Sequence, residues 1–81
     1  MNRETLRAEV CQLLKQIAPD TEPETLQDQD KIREILGIDS FDALQFIVAL
    51  DARLGVDIPE KDYAQTDTLA HLLDYLEGRM P

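Results

Sequence analysis

Apolar residues in this chain recur at helical spacing, and no segment alternates apolar and polar residues far enough to make a strand, so the pattern supports an all-α fold. Over Arg3–Ile17, Leu6, Val10, Leu13, Leu14 and Ile17 share one face, while Glu4, Arg7, Glu9, Gln12, Lys15 and Gln16 take the other. Asn2 stands where a helix N-cap is needed. Pro19 and Pro23, set among Asp20, Thr21 and Glu22, end that helix and open a long connection to Asp39. Leu26, Ile32 and Leu36 are predicted to pin this connection, with a helical turn near 30–35, because an unstructured link of that length is unusual in a compact domain. A second long helix is predicted over Ser40–Leu54, closed by a left-handed Gly55. Pro59 suits the first position of a short third helix over 59–63. The last helix starts after Asp67 or Thr68, buries Leu69, Leu72, Leu73 and Leu76, and is expected to end at Gly78.

With 81 residues, the expectation is a single domain over 1–81, a small bundle of three principal helices plus one short helix. Cys11 is the only cysteine, so no intrachain disulfide can assist folding. Residues 1–7 lack the apolar stretch of a signal peptide, and no segment reaches membrane-spanning length. A soluble, cytoplasmic monomer is expected. The formal net charge of −9 disfavours nucleic acid and anionic membranes and favours partners with basic patches.

The second helix is apolar on two sides. Phe46, Ile47, Leu50 and Leu54 form a stripe assigned to the core; Phe41, Leu44, Val48 and Ala52 lie nearly opposite. A domain this small cannot bury both fully, and the second stripe faces a partner unless the short third helix or the long connection covers it. The second stripe begins directly after Ser40 and is flanked by Asp42 and Asp51, the arrangement of an apolar contact ringed by steering charge.

Ser40 lies in the run Leu36-Gly37-Ile38-Asp39-Ser40-Phe41-Asp42, where an irregular segment turns into a helix. Serine there can be a simple N-cap, as can Asp39, and Asp39 and Asp42 can be solvated charges. The same position suits a phosphodiester, because unpaired amides and the positive end of the helix dipole stabilise an anion. Catalysis needs a base beside the serine. The only histidine, His71, falls on the polar side of the last helix and reads as a surface residue. Cys11, at the edge of its stripe, reads as boundary packing, and Asp28, Asp30 and Asp39 lack the glycine and closing glutamate of a calcium loop. No metal or catalytic residue is assigned.

The chain resembles the acyl carrier protein family. The resemblance runs from the first helix through Gly-x-Asp-Ser at 37–40 and Asp57-Ile58-Pro59 to Thr68-Leu69 and Asp74-Tyr75-Leu76. It implies a non-catalytic carrier that holds 4'-phosphopantetheine, taken from coenzyme A, on Ser40. A phosphopantetheinyl transferase installs the arm and supplies the magnesium and the base. The terminal thiol then carries acyl intermediates as thioesters between loading, transfer and synthase enzymes. In this resemblance Asp39, Phe41, Asp42, Leu44, Gln45, Val48, Asp51 and Ala52 form the surface those partners read.

Some positions depart from the family's usual fatty-acid-synthesis pattern. Gln45, Ala52 and Arg53 stand where glutamates are common, and Phe41 where leucine is, so a bulkier and less negative stripe is expected. Tyr63 and Thr66 stand where a small and an aliphatic residue are common, and the tyrosine ring is expected to fill space otherwise open to an acyl chain. These departures favour a discrete carrier in a specialised fatty acid, lipid or polyketide-type pathway. The alternatives are an aminoacyl, peptidyl or D-alanyl carrier and, from another class, an unmodified acidic helical adaptor. A serine hydrolase is a distant third.

Overall fold

A computed structural model describes residues 1–80. Helix α1 (Arg3–Ile17) starts as predicted at Asn2, whose Oδ1 accepts from the Thr5 amide at 2.7 Å. Leu6, Val10, Leu13 and Leu14 face inward, and Cys11 joins them at 5 % exposure, inside the core rather than at its boundary. Burial pushes the Cys11 thiol up, which makes it a poor nucleophile.

The long connection is tied down at several points. Pro23–Thr25 forms a single 3-10 turn, and the Arg7 guanidinium donates to the Leu26 carbonyl at 2.7 Å. Leu26 and Ile32 are buried as expected, while Leu36 is half-buried. Helix α2 (Ile32–Leu36) supplies the predicted turn. The Ile32 amide donates to the Asp67 carbonyl at 3.0 Å and the Leu69 amide to the Asp30 carbonyl at 3.1 Å. One isolated antiparallel bridge, Lys31 with Thr68, results, and the described residues contain no strand.

Helix α3 (Ser40–Leu54) has the predicted bounds, and Gly55 closes it at φ 72°. Beyond it, two sequence expectations change. Pro59 caps the next segment instead of opening it, and that segment, Glu60–Thr66, is a 3-10 helix. Its Asp62 is buried, accepting from the Tyr75 hydroxyl at 2.7 Å and from Gln65 Nε2 at 3.1 Å, with Arg79 Nη2 at 3.4 Å. A carboxylate is tolerated inside because its oxygens are satisfied. The bond to Asp62, chiefly, holds the Tyr75 phenol protonated beyond its ordinary range.

Helix α4 (Leu69–Arg79) begins at Thr68, whose Oγ1 accepts from the His71 amide at 3.1 Å. The helix continues past Gly78 to Arg79, where the sequence reading ends it one residue early. Arg79 explains the extension: its guanidinium sits 4.7 Å from the Tyr75 ring centroid and reaches Asp62, so the last turn is held from outside. Leu6, Leu14, Leu50, Leu69, Leu72, Leu73 and Leu76 are almost completely buried in one core shared by α1, α3 and α4. Each such side chain contributes about 1.5–3 kcal/mol relative to exposure. No helix among the described residues is long and apolar enough to cross a membrane.

Candidate functional site at the start of helix α3

The turn before α3 is set by three residues in succession. Gly37 adopts a left-handed conformation, φ 65°, that any side chain would strain. The chain then doubles back so that the Ile38 amide donates to the Arg33 carbonyl at 3.0 Å, while the Ile38 side chain is buried. Asp39 follows as the cap, its Oδ1 accepting from the Asp42 amide at 2.9 Å. The structure thus decides between the two possible caps: Asp39 takes that role and Ser40 is the first helical residue.

Freed from capping, the Ser40 side chain is exposed at a helix start whose first amides have no intrahelical acceptor. Its Oγ accepts from Arg33 Nη2 at 3.2 Å. Arginine stays protonated and cannot act as a base. His71 Nδ1 is engaged instead with Asp67 Oδ1 at 2.8 Å, a contact that is the leading cause of the lowered Asp67 pKa. Among the described residues the hydroxyl's side-chain partner is thus an orienting cation, and the single histidine bonds elsewhere, so the geometry lends the hydrolase reading no support.

The second stripe of α3 is open to solvent, at 67 % for Phe41, 51 % for Leu44 and 62 % for Val48. Gln45, Asp51 and Ala52 are exposed with it, and Asp42 is half-buried. Ile35, on α2, adds an exposed apolar side chain that sequence reasoning missed. Arg53 behaves differently from expectation. Its guanidinium turns to α1, 2.9 Å from Glu9 and 3.1 Å from Gln12 Oε1, so its charge is spent inside the domain.

Beside Ser40 runs a groove of about 660 Å³ between α2, α3 and the Glu60–Thr66 segment. Phe46, Leu50, Ile58 and Leu72 give it a buried apolar lining, and Arg33, Ser40, Leu44 and Tyr63 line it nearer the surface. Tyr63, 37 % exposed, is one of the residues that line this volume, so its ring stands at the groove wall, where the sequence reading placed it. Thr66 is held by its own hydroxyl, which donates to the Tyr63 carbonyl at 3.0 Å.

An accessible serine at a helix start, an anion-favouring set of amides, a cation on its oxygen and an adjoining apolar groove together fit a covalent phosphate-linked arm. This is the class of a carrier domain, and comparison with known proteins agrees. The model of the family described as "Phosphopantetheine attachment site" matches residues 4–76. The acyl carrier protein of Thermosynechococcus vestitus is 27% identical over 77 residues, 91% of this chain and 95% of its own. That of Campylobacter curvus is 32% identical over 56 residues, 69% of this chain and 73% of its own. A solved structure of the acyl carrier protein from Enterococcus faecalis superimposes with a TM-score of 0.71 at 26% identity, covering 96% of this chain and 98% of that one. The chain belongs to the acyl carrier protein family, whose cofactor is a covalently attached 4'-phosphopantetheine. Members of this family are carriers, not catalysts, and they work with synthases and transferases.

Proposed function

We propose that Ser40 is the residue that receives the arm, and that the protein is a discrete acyl carrier serving a specialised biosynthetic pathway. The observation that carries this is the exposed Ser40 Oγ, released from capping by Asp39 and presented at the start of α3. During attachment the oxygen bonds to the phosphorus of coenzyme A next to the pantetheine, adenosine 3',5'-bisphosphate leaves, and the serine proton passes to a base on the transferase. When bound, the arm supplies a terminal thiol that holds an acyl group as a thioester. The chain's own residues do the rest. Asp39 fixes the helix start, Phe41, Leu44 and Val48 offer an apolar docking surface, and Asp42 and Asp51 favour partners with basic patches. The groove beside Ser40 gives the acyl portion an apolar wall.

Specialisation is supported by the composition of α3, where Gln45 and Ala52 are neutral and Phe41 is bulky. We place the protein as a monomer in the cytoplasm, in keeping with its surplus of acidic side chains. Intact mass after incubation with a phosphopantetheinyl transferase and coenzyme A tests the attachment. The parent should gain one arm and Ser40→Ala none. A gain that persists in the variant, or a parent that never gains the arm, would remove Ser40 from this role.

A further inference from the structure

Resting on the assignment of Ser40 as the attachment residue, we propose that Arg33 is a phosphodiester-binding residue that clamps the arm's first atoms on the groove side of α3. Arg33 already touches the reacting oxygen: Nη2 lies 3.2 Å from Ser40 Oγ, and Nε lies 3.4 Å from the Ile38 carbonyl. The backbone enforces this proximity. The left-handed Gly37 and the Ile38-to-Arg33 hydrogen bond turn the chain back on residue 33, which brings Ser40, two residues on, within reach of the Arg33 side chain.

The charge of Arg33 is otherwise unclaimed. Arg3, Lys15, Arg53 and Arg79 each pair with a carboxylate, whereas none of the ion pairs among the described residues includes Arg33. Arg7, Lys31 and Lys61 likewise join none of these ion pairs, but of the unpaired cations only Arg33 bonds to Ser40, so its charge stands at the modification point itself. A neutral hydroxyl uses little of it. A guanidinium offers five donors in a planar fork suited to two oxygens of one phosphate, and only two of those donors are engaged. A phosphate attached at Oγ would offer this fork two non-bridging oxygens as acceptors.

The pairing has a directional consequence. Asp39 and Asp42 flank Ser40 in sequence, so the added negative charge is repelled there and drawn to the Arg33 side. Arg33 and Ser40 both line the groove, so a phosphate held between them starts the arm toward the groove and away from Phe41 and Val48, which do not line it.

Nitrogen-labelled protein converted with a transferase and coenzyme A provides the test, with the parent, Arg33→Gln and Arg33→Lys compared. In the parent the Arg33 Nε–H signal should move on conversion and exchange more slowly with water. Phosphorus NMR of the holo form should show a shifted phosphodiester signal in Arg33→Gln, with a smaller shift in Arg33→Lys, which keeps the charge but loses the fork. A nitroxide attached to the arm's thiol should be more mobile in Arg33→Gln. An Arg33 signal identical before and after conversion overturns the proposal, as does a parent-like phosphorus signal with parent-like nitroxide mobility in a folded Arg33→Gln. Should that variant not fold, the parent's own Arg33 signal decides. Absence of any mass gain at Ser40 refutes the attachment assignment instead, so the two failures are distinct.

Discussion

The two faces of helix α3 carry similar side chains and meet opposite fates. Phe46 and Leu50 are 7 % and 0 % exposed, whereas Phe41 and Val48, on the same backbone, are 67 % and 62 % exposed. Intrinsic hydrophobicity does not separate them. What separates them is coverage: α1 packs against α3, and Phe46 and Leu50 join the core that α4 completes, while no element covers the other face. A chain of 81 residues has enough helix to cover one side of α3, and its second apolar stripe stays open to solvent, the surface proposed above for partners.

The largest effect should come from disturbing the covered face. Leu50→Ala is expected to cost about 2–5 kcal/mol, read as a lower urea midpoint, because Leu50 is completely enclosed and its neighbours can collapse only in part. Val48→Asp should leave the urea midpoint near the parent's and instead slow loading or transfer by partner enzymes. If Val48→Asp unfolds the protein, or Leu50→Ala does not destabilise it, the assignment of the two faces is reversed.

The boundaries of α1 and α3 were legible because each is written locally: Asn2 caps one, Gly55 closes the other, and the apolar period between them is helical. So was the exposed stripe, from the excess of apolar surface over chain available to cover it. Asp62 was not legible. Its partners Tyr75 and Arg79 are 13 and 17 residues away, and an acid in the polar run from Glu60 to Thr66 gives no sign that it will be buried. The Arg53 contact with Glu9 and the Arg33 contact with Ser40 were hidden for the same reason, since a charged side chain's partner is set by tertiary approach. Gly78 misled in the other direction: local chemistry marks it as a stop, and the long-range hold on Arg79 overrides that mark.

A smaller effect should distinguish the two neighbours at the helix start. Asp39→Ala removes the cap and should cost about 0.5–2 kcal/mol. Ser40→Ala removes only a hydroxyl that accepts from Arg33 at an exposed position, so its stability should stay closer to the parent's while modification is lost. Chemical denaturation of both variants checks the order. Greater destabilisation by Ser40→Ala would mean that the serine, and not Asp39, caps α3.

The smallest effect concerns charge on the open face, where the structure revises what the sequence suggested. Gln45 and Arg53 read alike as losses from an acidic stripe, yet the Arg53 guanidinium is paired with Glu9 on α1 while Gln45 has no such pair. Gln45→Glu should therefore speed association with an enzyme bearing a basic entrance. The gain should be largest at low salt and fade as ionic strength rises, because exposed charges are screened beyond about 8 Å at physiological salt. Arg53→Glu should behave otherwise: it sets a carboxylate against Glu9 and gives up an ion pair worth up to about 1 kcal/mol, without adding charge to the docking face. Stopped-flow association of each holo variant with a ketoacyl synthase, at low and moderate salt, separates them. Equal acceleration by both substitutions would show that partners sense the domain's total charge, and the distinction between an internal Arg53 and an outward Gln45 would carry no functional weight.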